Sequence, residues 1–293
     1  MTLRNLVVAR AGPSSLHPRW LDLPRHQREF DVLLSFYSPE AFASFVPSEG
    51  VNAVLVTGGK FDGLFTTLRN VDLSRYDYVW LPDDDIDTTS STINAIFRLC
   101  REYDLAVAQP SLSRDSYFSH FLLNRCLGFR LRYTNFVEVM VPCLRTDLLR
   151  RVLPYFEGSM SGWGLDYVWC RFPESGAYKA AVLDCLEVHH TRPVGQVLKS
   201  VVAARGGLSS EEEEERLKRT VGIVGQTVPL AFAGVRTNGN LVDGRLATAL
   251  LMTLSWFGDL HHFPNRRKTL RAIRKEFQRQ RRGKLDMTVL VVG

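Results

Sequence analysis

The chain reads as an α/β protein: a mixed, mostly parallel central sheet flanked by helices, followed by a helical C-terminal extension. Three observations predict it. Short apolar runs rich in branched or aromatic residues, bounded by Gly, Pro or charge, recur through the first part of the chain, as buried strands do. Amphipathic stretches with helix-start residues lie between several of them. A hydrophobic content of 45% over 293 residues is enough for one large core.

Strands are expected at Asn5–Ala9, Asp31–Tyr37, Asn52–Thr57, Tyr78–Leu81 and Leu105–Gln109. The clearest helix spans Thr89 to Tyr103, where Ile93, Ile96, Phe97 and Cys100 recur on one face and Ser or Thr residues offer the N-cap. A further strand is expected at Asn135–Val141, then a helix at Thr146–Tyr155, the Gly-rich segment Ser161–Trp169, and a strand at Ala180–Leu186 leading into Glu187-Val-His-His. Beyond Gly195 the character changes. The acidic run Glu211–Glu215 after Ser209 and Ser210 is a good helix start, and helical segments are expected to continue to Arg282. This suggests a catalytic unit over 1–195 and an extension over 196–293.

The charge is unevenly distributed. The net charge is +6, but 265–284 holds ten Lys or Arg against one Glu, which leaves the rest of the chain about three charges negative. A nucleic-acid-binding surface would need basic residues spread over the body, so no nucleic acid is expected. No apolar run reaches the roughly 18–20 residues needed to cross a bilayer. The longest, Leu246–Phe257, is interrupted by Thr248, Thr253 and Ser255. The opening residues look like a first strand and not a secretory signal, and the five cysteines lack the close spacing of a zinc or redox pair. A cytoplasmic protein with reduced core thiols is the expectation.

The most informative run is Tyr76–Ile86, where a hydrophobic strand ends in Asp83, Asp84 and Asp85. Adjacent carboxylates repel and resist desolvation, so such a strand end faces solvent, a cation or both. Carboxylate oxygens suit Mg2+ or Mn2+, which complete their shells with water and substrate phosphate. The triplet lies between a strand's C-terminal end and a helix start, the edge of an α/β sheet where ligands bind.

The order of a strand with D-x-D, a Trp-Gly-Leu-Asp segment and a strand ending in His resembles nucleotide-sugar-dependent glycosyltransferases of the GT-A fold, a Rossmann-like architecture. More closely, the segments YDYVWLPDDDI, LAVAQPSL, NFVEVMVPC, GWGLDYVW and VLDCLEVHH resemble, in that order, the family catalogued as domain of unknown function seven-hundred-seven, over roughly Asn5 to Gly195. Pro82 departs from the apolar or aromatic residue expected before the triplet. The resemblance implies a metal-dependent transfer of a sugar from a nucleotide-diphosphate donor to a carbohydrate or lipid-linked acceptor, in surface polysaccharide or glycolipid synthesis, by an inverting displacement, with retention as the alternative because retaining enzymes share the D-x-D architecture. Carried over residue by residue, Asp83 and Asp85 match the D-x-D that holds Mn2+ or Mg2+. Asp166 matches the general base and His190 a further metal ligand, with His189 as an alternative.

Other positions follow from their places in the pattern. Ala9 and Arg10 at the end of the first strand, Lys60 after the Gly58-Gly59 turn, Asp84, and Gln109 with Ser111 at the end of the fifth strand are candidates for donor binding. Trp163, Gly164 and Glu138 are candidates for the acceptor side, Glu138 because it alternates with apolar neighbours in an expected strand. In the basic tail, Leu270, Ile273 and Phe277 fall at helical spacing, so 265–284 is expected to touch an anionic membrane surface, at its inner face. Two other readings fit parts of the sequence. Asp85, Asp87 and Thr89 also satisfy the D-x-D-x-T of haloacid dehalogenase-like phosphatases, and a GT-A fold can persist as a non-catalytic binding domain.

Overall fold

The computed structural model describes residues 4–172, 178–193, 208–225, 227–288 and 290. The strands are β1 (Asn5–Ala11), β2 (Asp31–Phe36), β3 (Val51–Leu55), β4 (Tyr78–Trp80), β5 (Ile86–Asp87), β6 (Val107–Leu112), β7 (Phe129–Thr134), β8 (Cys143–Arg145), β9 (Ala180–His190), β10 (Ala231–Arg236) and β11 (Leu241–Asp243). They form one mixed sheet in the order β11-β10-β7-β9-β6-β8-β4-β1-β2-β3, with β5 pairing to β9 off this path. Strands β3, β2, β1 and β4 are parallel, and so are β6 and β9. The short antiparallel β8 joins these two groups.

The α-helices are α1 (Pro39–Ala43), α2 (Lys60–Leu68), α3 (Ser90–Glu102), α4 (Thr146–Val152), α5 (Leu165–Val168), α6 (Ser210–Thr220), α7 (Arg245–Gly258) and α8 (Arg266–Arg282). Alternation along β1 shows how the sheet is buried on both faces. Val7, Ala9 and Ala11 pack in one core with Ile93, Ile96 and Phe97 of α3. Leu6 and Val8 pack in a second with Phe61, Leu64 and Leu68 of α2 and Leu148 and Leu149 of α4. Helix α3 begins where its sequence indicates, because the Thr89 side chain caps the Thr92 amide. Helix α6 carries a full capping box between Ser209 and Glu212.

Two expectations need correction. The segment 135–141 is not a strand. It runs as a loop between β7 and β8, and side chains take over the hydrogen bonds that a ladder would supply. Gln109 Oε1 accepts from Glu138 N at 2.6 Å, and Asp166 Oδ1 accepts from Val139 N at 2.6 Å. Trp169 Nε1 donates to Val137 O at 2.9 Å, Lys60 Nζ to Val139 O at 2.5 Å and Trp80 Nε1 to Val141 O at 3.0 Å. The C-terminal part is also more than helical. Strand β10 pairs with β7 and β11 with β10, extending the same sheet, and α7 and α8 pack over this end in a third core around Met252, Trp256 and Ile273. All five cysteines are free, four of them buried.

One ion pair ties this end together. Arg132 on β7 and Asp184 on β9 are both fully buried and joined by two bonds, at 2.7 and 2.8 Å. Two more guanidinium hydrogens go to the carbonyls of Leu122 and Asn124, and Asp184 also accepts from the Cys126 amide. Burial pushes the Asp184 carboxyl up, against the pull of Arg132. Asp184→Ala would leave an uncompensated buried cation and is expected to cost about 3–5 kcal/mol, read from urea unfolding.

His120 gives a pH signature. Its ring stacks edge-on against Phe136 at 4.7 Å, its Nδ1 has no partner, and burial, helped by the nearby Arg279 charge, pushes its pKa down to about 4. Between the ordinary value of 6.5 and about 4 this imidazole therefore binds a proton in the unfolded chain and not in the folded one. By itself it lowers stability as pH drops through that window. His120→Phe should remove this contribution, so that the unfolding free energy of the variant gains on that of the unsubstituted protein by on the order of 2 kcal/mol from the upper to the lower end of the window.

Candidate metal centre

Strand β4 delivers the carboxylate triplet, and β9 brings its partner. Past the end of β4 the chain stays tied to the 135–142 loop, with Leu81 N donating to Pro142 O and Asp83 N to Met140 O, both at 2.8 Å. Ile86 in β5 pairs antiparallel with His190, so the last residue of β9 comes to rest beside the triplet. Both the amide and the hydroxyl of Thr191 donate to Asp85 O and lock this register.

Ligand atoms of Asp83, Asp85 and His190 lie within 4.8 Å of one another. His190 Nδ1 is 2.9 Å from the Tyr117 carbonyl, which can only accept, so Nδ1 carries a hydrogen and Nε2 is directed at Asp85 Oδ2, 3.2 Å away. Burial disfavours the imidazolium, but the Asp85 carboxylate and the Tyr117 carbonyl outweigh it and raise the His190 pKa. Asp85 Oδ1 is buried and has no hydrogen-bond partner in the protein. Two carboxylates, one imidazole nitrogen and an orphaned carboxylate oxygen fit a divalent cation of the Mn2+ or Mg2+ type. His189, on the other side of the strand, turns to Asp115 at 3.2 Å and takes no part.

Each carboxylate of the triplet has its own counter-group. Lys60, at the start of α2, holds Asp83 Oδ1 at 2.6 Å. Although 34% of its side chain stays exposed, burial pushes the Asp83 carboxyl up, Lys60 opposes this and the Asp85 charge adds to it. Asp84 accepts from the Gly12 amide at 2.9 Å and from Arg192 at 3.1 Å. Burial nevertheless carries its pKa to about 6. Arg192 also reaches Asp85, at 3.5 Å. Sequence reasoning missed Arg192, yet a signal was present, because residues 190 and 192 share a face when a strand continues.

The other expected residues separate into two groups. Ala9 is fully buried in the middle of β1, paired with Leu34, because the strand runs two residues further than expected. Arg10 is buried, bonded to Ser35 Oγ at 2.6 Å and Gly58 O at 3.0 Å, and burial lowers its pKa to about 10. Gln109 and Ser111 are fully buried as well. Gln109 supports the 138 amide, and Ser111 Oγ donates to Leu186 O at 2.6 Å, closing a register shift between β6 and β9. All four are buried and paired or bonded within the framework around the site. Asp87 pairs with Arg19, and Thr89 caps α3, so the D-x-D-x-T pattern does not converge on one point.

Asp166 lies in the first turn of α5, whose N-cap is Gly164 in the left-handed region at φ 96°. Its carboxylate supports the Val139 amide, and burial with the neighbouring Glu138 charge raises its pKa well above the carboxylate range. Glu138 is turned inward, 4% exposed, with Oε2 unpartnered and its pKa raised to about 7 by burial. It belongs to the loop and not to an open strand face, which corrects the strand placement expected for it. Its charge acts on Asp166 and is coupled to His190, Asp83 and Lys60, so Glu138 connects the two groups electrostatically.

Trp163 is 38% exposed on the loop preceding α5. Glu213 of α6 grips that loop from behind, accepting from the amides of Met160 at 2.8 Å and Ser161 at 2.9 Å and from both Ser159 and Ser161 hydroxyls. Sequence reasoning did not find Glu213, which lies in an acidic run that looks solvated throughout. Gly162 is required here: φ is 76° and a Cβ would sit 2.2 Å from the Phe61 ring.

Added Mn2+ is expected to raise the melting temperature of the protein but not that of Asp85→Ala or His190→Ala, because only the intact site binds the folded state selectively. Protons compete for the imidazole, so affinity measured by calorimetry should weaken by about tenfold per pH unit below the His190 pKa.

No family model matches the chain, and no curated protein matches its sequence. Solved structures do align with it. S. aureus TarS 1-349 aligns with a TM-score of 0.47 at 12% identity, over 95% of this chain and 89% of that one. The complex of TarS 1-349 with UDP-GlcNAc gives 0.46 at 13% identity, over the same shares. Rv0371c of Mycobacterium tuberculosis, in complex with manganese, gives 0.40 at 15% identity, over 74% of this chain and 97% of that one.

Proposed function

We propose that the protein is a metal-dependent glycosyltransferase of the GT-A type, which moves a sugar from a nucleotide-diphosphate donor to an acceptor hydroxyl. One observation carries this reading. Asp83, Asp85 and His190 converge within 4.8 Å at the C-terminal edge of the parallel strands, with Asp166 linked to them through Glu138. Its support from sequence is the ordered set of five motifs. A Mn2+ or Mg2+ ion held by Asp83, Asp85 and His190 would neutralise charge on the leaving diphosphate.

The chain's own groups account for the remaining roles. Among the described residues, Arg192, fixed by Asp84 and one-third exposed, is a cation placed to bind diphosphate oxygens. Lys60 holds Asp83 in place and keeps the carboxylate cluster partly neutralised. Asp166 serves as general base for the acceptor hydroxyl: burial makes its carboxylate a stronger proton acceptor, and such a group contributes ~10²- to 10⁴-fold. Direct attack on the anomeric carbon inverts its configuration. Trp163 offers an exposed ring on which a carbohydrate or the sugar of a lipid-linked acceptor stacks.

Binding of a panel of nucleotides and nucleotide sugars, with and without Mn2+, tests the reading. Metal-dependent binding of a nucleoside diphosphate, lost in Asp85→Ala, is expected, and no binding by the intact protein would contradict it. Asp166→Asn should lower transfer by at least about 10²-fold while sparing donor binding. Equal loss of both would remove Asp166 from the role of base.

A further inference from the structure

The third core leaves one face of its first helix uncovered. On α7, Thr248, Ala249, Met252 and Trp256 point inward, while Leu246, Leu250, Leu254 and Phe257 are exposed at 61%, 51%, 58% and 47%. Their spacing of four, four and three residues aligns them in a single stripe. A contiguous row of large apolar side chains along a helix is not the scattered exposure of an ordinary surface.

Helix α8 packs against α7, and Arg245 at the start of α7 bonds to the Gly283 carbonyl just past the end of α8, so the two form an antiparallel hairpin. Over 245–282 there are ten Lys or Arg and two acids. Both acids are buried: Asp259 is 5% exposed and held by Arg114, and Glu276 is 1% exposed and held by Arg279 and Gln280. The hairpin therefore presents apolar and cationic surface with no acid to offset it.

We infer that the α7–α8 hairpin docks on an anionic lipid bilayer, with the α7 stripe set among the acyl chains and the basic residues of α8 against the headgroups. Charge decides among the occupants such a stripe could take. A second copy would bring two cationic hairpins together, whereas an anionic surface complements one. Length decides the mode. Fourteen residues span about 21 Å, too short to cross, and no helix among the described residues is long and apolar enough to do so. The helix therefore lies along the surface. The sequence placed the apolar contact on α8 itself, but Ile273 is fully buried in the third core and only Leu270 is exposed, at 43%. The apolar contribution comes from α7 instead.

Co-sedimentation of the full chain with vesicles of phosphatidylcholine, alone or mixed with phosphatidylserine, tests this without any donor, so its result stands apart from that of the nucleotide test. Binding to the anionic vesicles only, weakening as salt rises, is expected. Leu250→Ser combined with Leu254→Ser should lower partitioning by about tenfold or more. Arg271→Gln combined with Arg274→Gln should lower it and flatten its salt dependence. Leu246→Ser combined with Phe257→Ser replaces the first pair if circular dichroism shows that pair unfolded. Equal partitioning of folded stripe variants, or no binding at all, would overturn the proposal. So would a dimer, detected by light scattering, that the stripe variants dissociate.

Discussion

Three adjacent carboxylates at a buried strand end cannot all remain ionised without counter-charge, and much of the first half of the protein is arranged around that constraint. Lys60 reaches Asp83 from the start of α2, Gly12 at the end of β1 donates to Asp84, and Arg192 reaches Asp84 and Asp85 from beyond β9. Segments distant in sequence are thus drawn to one sheet edge by electrostatics as well as by packing. Neutralisation remains incomplete at Asp85 Oδ1, which is buried and unpartnered. A site with this residual demand is suited to a cation.

The 135–142 loop transmits the arrangement to the other side of the site. It forms no strand, so its backbone depends on the side chains of Gln109, Asp166, Trp169, Lys60 and Trp80 as well as on main-chain bonds from Leu81 and Asp83. Two of these, Lys60 and Asp166, are also the groups with chemical roles in the proposed reaction. Anything that shifts one of them shifts the loop, and with it Glu138, whose charge acts on both sides. Glu213 performs a comparable service from α6, fixing the 159–161 backbone that leads to Trp163 and Asp166. The C-terminal part therefore contributes to the site's geometry as well as extending the sheet.

Where sequence reading failed, it failed for a consistent physical reason. Phe129–Thr134 forms β7 although Arg130 and Arg132 interrupt its apolar pattern, because Arg132 is fully buried and paired with Asp184 fifty-two positions away. Asn135–Val141 was read as a strand because its residues alternate in character, and it became a loop because distant side chains satisfied its amides. Gln109 and Ser111 looked like ligands because they are polar at a strand end, but their partners are backbone groups of neighbouring segments. A polar residue's partner is a long-range property, and local pattern does not contain it.

By itself the sequence determined the α/β class, the β1, β2, β3, β4, β6 and β9 positions to within a few residues, the caps of α3 and α6, and the carboxylate triplet as the place needing a cation. These follow from periodicity, capping chemistry and like-charge repulsion, all of which act over a few residues. Only the tertiary structure decided that His190 and not His189 meets the triplet, that Arg192 joins it, that Ala9 lies inside the sheet, and that the exposed apolar stripe belongs to α7. Each of those depends on which face of an element meets its neighbour, and that is settled by strand register and helix packing across the whole chain.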